Sequence, residues 1–192
     1  ARNINNINEY KIKIKYSTAN INDYQKKILI DCIIKTDDFF YNLKNKFINK
    51  NILNIPWKFG FIKGKKYENG LPHTRDDVII LNINNIYNEK DLIKTLIHEK
   101  VHLYQKKYKY IMNNYLKINK FTKVKKREPK DNIIANPDLD NFIYKDKNNK
   151  IYKAVYNKNP KNINDITYFP FNNEIYEHPY EKMAFDIENL YE

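Results

Sequence analysis

The sequence predicts an α+β fold in one domain over residues 1–192, with a small mixed sheet, a long helix carrying two histidines and a second helix near the C-terminal end. Three observations predict it. Apolar residues recur at helical spacing from Leu92 to Tyr108, around His98-Glu99-Lys100-Val101-His102. Short aromatic or apolar runs between residues 56 and 81 are punctuated by Pro, Gly and Asn in the manner of strands. Pro179 suits the first turn of a helix, and Met183, Ala184, Ile187, Leu190 and Tyr191 form its apolar stripe.

In chain order, Tyr10 to Tyr16 alternates Lys with Ile and reads as an exposed strand, part of an arm over residues 1–20. From Asn22 to about Phe47, Ile28, Ile30, Ile33, Ile34, Phe40 and Leu43 have helical spacing, as one long helix or two. Pro56-Trp57-Lys58-Phe59-Gly60-Phe61 reads as an aromatic strand. Gly64 and Gly70 mark loops before Leu71-Pro72-His73-Thr74-Arg75, and Val78 to Leu81 is a continuous apolar run of strand type. Asn88-Glu89-Lys90-Asp91 supplies a capping Asn and acids for a first helical turn. On the wheel that follows, Leu92, Ile93, Leu96, Ile97, Val101, Leu103 and Tyr104 cover one broad side, and Asp91, Thr95, His98, His102 and Gln105 share the other. Lys100 falls within the apolar arc, so its stem is expected to snorkel to the surface. Residues 117–131 hold the densest basic stretch, read as a solvated loop, with a nucleic-acid contact or a localisation signal as the alternatives. Glu174 to Glu192 is the stronger candidate region for a third metal ligand, with a helix starting at Pro179.

The chemistry lies in the paired histidines. Positions i and i+4 sit about 40° apart around a helix axis, so His98 and His102 point the same way and their neutral imidazoles can share one Zn²⁺. Glu99, rotated by about 100°, is placed to hold a metal-bound water and accept its proton. The bland reading is a helix with two solvated histidines. A catalytic zinc also needs a third protein ligand and an open position. Asp138 and Asp140 offer acids in a turn, while Glu177, His178 and Glu181 compete in the C-terminal segment. Glu181 stands beside small Ala184, where two helices can approach closely. Donors for an oxyanion are sought among His73, Arg75, Tyr168, Tyr176 and Tyr180. For Arg75 an ion pair that holds its loop is the structural alternative.

His98 to His102 followed by Glu181-x-x-Ala184 resembles the gluzincin-type metallopeptidases. The His178-Pro179-Tyr180-Glu181-Lys182-Met183-Ala184 segment looks like the His-Pro-x-Glu-x-x-Ala form of their second motif, found in small, poorly characterised peptidase-like proteins, including viral ones. The resemblance implies a zincin-like fold, Zn²⁺ as cofactor, Glu181 as third ligand and peptide-bond hydrolysis with Glu99 as base. Lys100 departs from the family, which generally carries uncharged residues there, and the 79 residues from His102 to Glu181 make a long separation. In such folds the edge strand beside the metal helix receives the substrate backbone, a role expected here of Val78 to Asn82.

Composition bounds these expectations. A single cysteine, Cys32, excludes an intrachain disulfide and a cysteine-built zinc site and suggests an intracellular setting, cytoplasmic or within a viral particle. No apolar run approaches a membrane span, and no signal-peptide pattern opens the sequence. Three Gly and seven Pro argue against a fibrous or low-complexity chain. The net charge of +12 attracts nucleic acid, anionic membrane or acidic protein, although abundant Asn, Ile, Lys and Tyr also look like AT-rich coding. Three functions follow: a zinc peptidase acting on a protein or peptide, a nucleic-acid-associated protease of SprT-like logic, or a non-enzymatic binding protein on a peptidase-like fold. The second lacks the third histidine soon after His102 that SprT-like enzymes use, and an intact Glu99 weighs against the third.

Overall fold

A computed structural model describes residues 6–128, 131–134, 136, 138–159, 165–169 and 176–192. The fold is α+β: five helices and two small sheets among those residues. The order is α1 (Ile7–Ser17), α2 (Asp23–Asn42), β1 (Phe59–Ile62), β2 (His73–Arg75), β3 (Val78–Asn82), α3 (Glu89–Lys107), α4 (Lys109–Ile118), β4 (Thr122–Lys126), β5 (Phe142–Lys145), β6 (Ile151–Tyr156), β7 (Ile166–Phe169) and α5 (Pro179–Glu188).

The helix starts follow local chemistry. Asn22 and Gln25 form a reciprocal capping box on α2, and the Asn88 side chain accepts from the Asp91 N–H to open α3. Pro179 occupies the first turn of α5 behind His178, whose ring accepts from the Tyr180 N–H. At its other end α3 stops at Lys107, and α4 begins again at Lys109.

α3 is the central element, packed between α2 and α5 and buried on most sides. Leu96, Ile97 and Val101 are fully buried, and each contributes about 1.5–3 kcal/mol of transfer free energy. Ala184, also fully buried, lets α5 lie close against α3 between Met183 and Ile187. The first sheet has the order β1-β3-β2, with β1 parallel and β2 antiparallel to β3. The second is an antiparallel meander, β4-β5-β6-β7. Gly70 turns the chain towards β2 at φ +72°, where a Cβ would lie 2.6 Å from the Gly64 carbonyl oxygen.

Several expectations are corrected. Residues 10–16 form a helix, not a strand. Glu9, Tyr10, Lys13, Ile14 and Ser17 are its less exposed positions, and that spacing is helical. The 117–131 stretch is not a loop throughout: it finishes α4 and continues as the exposed edge strand β4, with Pro129 and Lys130 outside the described residues. β3 lies at the centre of its sheet, so it cannot offer a free edge; the outer strands are β1 and β2. Lys100 does not reach the surface. It is fully buried, with Nζ donating to the Ile55 carbonyl at 2.6 Å and lying 3.8 Å from the Trp57 ring centre. Among the described residues no helix is long and apolar enough to cross a membrane.

Candidate metal centre

Two helices build the site. α3 presents His98 and His102 one turn apart, and the first turn of α5 brings Glu181 against them. The two imidazole Nε2 atoms stand 3.0 Å apart. Glu181 Oε2 lies 3.3 Å from His98 Nε2, and Oε1 lies 3.5 Å from His102 Nε2. His102 is fully buried and His98 mostly so, which removes the reading of solvated histidines.

The hydrogen bonds behind the rings decide what those atoms are. His98 Nδ1 is 3.0 Å from Glu188 Oε2, a carboxylate that only accepts, so the ring proton sits on Nδ1. His102 Nδ1 is 2.9 Å from Gln105 Oε1. The Gln105 amide is oriented by Nε2 donating to the Tyr180 carbonyl at 3.0 Å, so Oε1 is the acceptor and His102 also carries its proton on Nδ1. With neutral rings, two Nε2 lone pairs and a carboxylate face one another in a buried space, an arrangement that a cation would satisfy. Ligands about 2.0–2.1 Å from a tetrahedral zinc stand about 3.3 Å from one another; the two Nε2 atoms lie slightly inside that spacing, and each ring has its own Glu181 oxygen near it. The donor set fits zinc.

Protons answer the same demand. Burial disfavours a charged His98, yet its bonds to Glu181 and Glu188 outweigh that and raise its pKa to about 10. His102 is likewise raised, with Glu181 outweighing burial. Burial would raise Glu181, but the two imidazoles hold it well below the usual carboxylate range.

Glu99 sits in the same pocket with different surroundings. It is buried, and its Oε2 has no hydrogen-bond partner among the described residues. Burial first, then the charge of Asp138, raises its pKa to about 8 against the opposing pull of the histidines. Asp138 is buried too. It accepts from the Thr74 N–H at 2.7 Å and from the Thr74 hydroxyl, and Lys106 Nζ stands 3.4 Å away. Asn136 Nδ2 donates to Glu181 Oε1 at 2.9 Å and to Glu177 Oε1 at 3.3 Å. The Tyr168 phenol on β7 is pushed up to about 12 by burial and by the charges of Glu177 and Glu181.

The structure brings together His98, Glu99, His102 and Glu181. The competing ligands are not part of the trio, although Glu177 stands beside it. His178 accepts from the Tyr180 N–H on Nδ1 and faces Asp140 with Nε2 at 3.1 Å, and Glu177 bonds Asn136. Glu174, where the C-terminal candidate segment began, and Pro137 lie outside the described residues. Of the five oxyanion candidates, His73, Arg75 and Tyr180 are engaged away from the trio, while Tyr168 feels the charge of Glu181. His73 bonds the Leu71 carbonyl and the Tyr67 hydroxyl. Arg75 Nη2 donates to Glu68 and to the Tyr10 hydroxyl, both at 2.9 Å, which is the loop-holding ion pair. The Tyr180 hydroxyl points to Asp140. Sequence reasoning missed Glu188, Gln105 and Asn136. Glu188 had a signal, standing two turns after Glu181 on the same helix face, and Gln105 had one at three residues beyond His102. Asn136 had none, since its contact spans 45 residues of chain.

Compared with known proteins, the chain matches no family model, no curated protein and no solved structure.

Proposed function

We propose that this chain is a zinc-dependent peptidase on a zincin-like fold, with His98, His102 and Glu181 as metal ligands. The observation that carries the reading is the convergence of the two imidazole Nε2 atoms and the Glu181 carboxylate, close enough to hold one metal ion. The unpartnered oxygen of Glu99 in the same pocket supports a hydrolytic rather than a structural site. A zinc ion held by His98, His102 and Glu181 would supply Lewis acidity to a water and to the substrate carbonyl. Glu99, whose Oε2 has no hydrogen-bond partner among the described residues, would accept the proton of the attacking water and return it to the leaving amine. Glu188 and Gln105 hold the imidazoles in one tautomer and orientation. Tyr168, a protonated phenol within reach of the Glu181 charge, is the candidate donor to a developing oxyanion. The resemblance to gluzincin-type peptidases points the same way.

The test is metal content by elemental mass spectrometry on wild type, His98→Ala and Glu181→Ala, prepared without chelator or metal-affinity tag, with casein hydrolysis alongside. The expected outcome is about one zinc per wild-type chain, loss in both variants, and hydrolysis abolished in Glu99→Gln while its zinc remains. A folded wild type that takes up no zinc after the metal is added back overturns the reading.

A further inference from the structure

Charge is segregated in this chain. Residues 39–67 hold seven lysines and residues 100–127 hold ten lysine or arginine side chains, while all 23 acids lie outside both stretches. The fold packs parts of the two together. Phe47 meets Tyr115 edge-on at 4.9 Å, the Asn49 N–H donates to the Tyr104 hydroxyl at 3.3 Å, and the Tyr108 hydroxyl donates to the Asn51 carbonyl at 3.4 Å. The loop after α2, the last turn of α3 and α4 thus make one surface. Lys44, Lys46, Lys50, Lys107, Lys109 and Lys117 are exposed on these segments, and none has an acidic partner among the described residues. Asp37, just before the first stretch, is turned to the Trp57 Nε1.

Aromatic rings stand among these cations. Tyr41 is 65% exposed with Lys50 Nζ 4.5 Å from its ring centre, and Tyr110 is 63% exposed on α4. The rest of the outer face of α4 is Lys109, Asn113, Asn114 and Lys117, with Ile118 exposed at its end. Lysines for phosphates, accessible ring faces for bases and amides for base or sugar edges are the chemistry of single-stranded nucleic-acid binding. An anionic membrane would instead call for bulky aliphatic residues to insert between lipids. Tyr104, which ties this surface to the loop, projects about 120–160° around α3 from the two histidines, so the surface lies away from the metal centre.

We propose that the surface formed by residues 44–51, the end of α3 and α4 binds single-stranded nucleic acid, with the lysines on phosphates and bases stacked on Tyr41 and Tyr110. The inference does not depend on peptidase activity.

The test is fluorescence anisotropy of a fluorescein-labelled oligothymidylate about 20 nucleotides long, titrated with full-length protein at several salt concentrations. A triple variant, Lys107→Glu, Lys109→Glu and Lys117→Glu, is compared with Lys26→Glu, Lys27→Glu and Lys90→Glu, which makes the same charge change at exposed lysines elsewhere. The first triple is expected to lose at least about tenfold in affinity and to flatten the log–log salt slope by about 2, the second to lose less than about threefold. Tyr110→Ala is expected to weaken binding by about fivefold or more. Thermal melts show that each variant is folded. Equal losses in both triples would reduce the effect to net charge and overturn the proposal. So would an unaffected Tyr110→Ala, or binding to phosphatidylserine vesicles in preference to the oligonucleotide.

Discussion

Replacing Lys100 with Met asks what a buried ammonium does to the pH dependence of stability. Burial lowers its pKa from 10.5 to about 8, with the charge of Asp37 opposing. A lysine depressed in the folded state binds fewer protons there than in the unfolded chain, so its contribution to stability rises with pH. Below pH 8 the full difference of about 2.5 units disfavours folding by about 3 kcal/mol, and at pH 10 less than about 1 kcal/mol of that remains. Methionine keeps the stem and removes the titration. It also removes the donor to the Ile55 carbonyl and the cation on Trp57, but neither is lost progressively with pH in the variant. Urea denaturation of both proteins at pH 7 and pH 10 gives the result. The stability of wild type relative to Lys100→Met is expected to rise by about 2–2.5 kcal/mol between the two pH values. Subtracting the variant cancels the other titrating groups, including the raised phenols of Tyr115 and Tyr144. A change below about 0.5 kcal/mol would refute the argument, because it would mean that Lys100 is hydrated in solution.

Two further predictions concern the site. Gln105→Leu and Glu188→Gln, which disturb the bonds to His102 and His98, are expected to weaken zinc binding by about 10–100-fold each without abolishing it. Competition with a chromophoric chelator measures this; unchanged affinity in both would remove the two residues from the site. Ala184→Leu inserts a larger side chain where α5 meets α3 and is expected to cost about 1–3 kcal/mol in urea denaturation. It should also weaken zinc binding, because Glu181 rides on the same helix; a stable variant with wild-type affinity would show that the interface has slack.

What was legible in the sequence was local. His98 and His102 share a direction because helical spacing puts them there, and Asn88 and Pro179 mark helix starts through bonds within a few residues. Glu181 was singled out only by the resemblance of residues 178–184 to a second motif, since spacing alone does not link it to His102 across 79 residues. The failures were non-local. The Lys–Ile alternation of residues 10–16 suits a strand, but contacts of Tyr10 with Tyr67, Glu68 and Arg75 bury a helical face instead. β3 looked like an edge because nothing in its own residues reports that β1 pairs on one side and β2 on the other. Lys100 was assigned to the surface because its chain neighbours cannot reveal the Ile55 carbonyl and the Trp57 ring.

The three-stranded sheet also has both of its outer strands occupied. Strand edges are the usual templates for intermolecular pairing. On β1 the segment after α1 takes that place, with Ala19 N–H donating to the Phe61 carbonyl at 2.9 Å and Lys63 N–H to the Ser17 carbonyl at 2.8 Å. On β2 side chains do it: the Thr74 N–H is taken by Asp138 and its carbonyl by Lys106. A carboxylate and an ammonium there stand where a neighbouring strand's carbonyl and amide would be. Such a charged stopper ends the hydrogen-bond ladder without extending it, and a second chain would have to evict two charges before it could begin to aggregate along that edge.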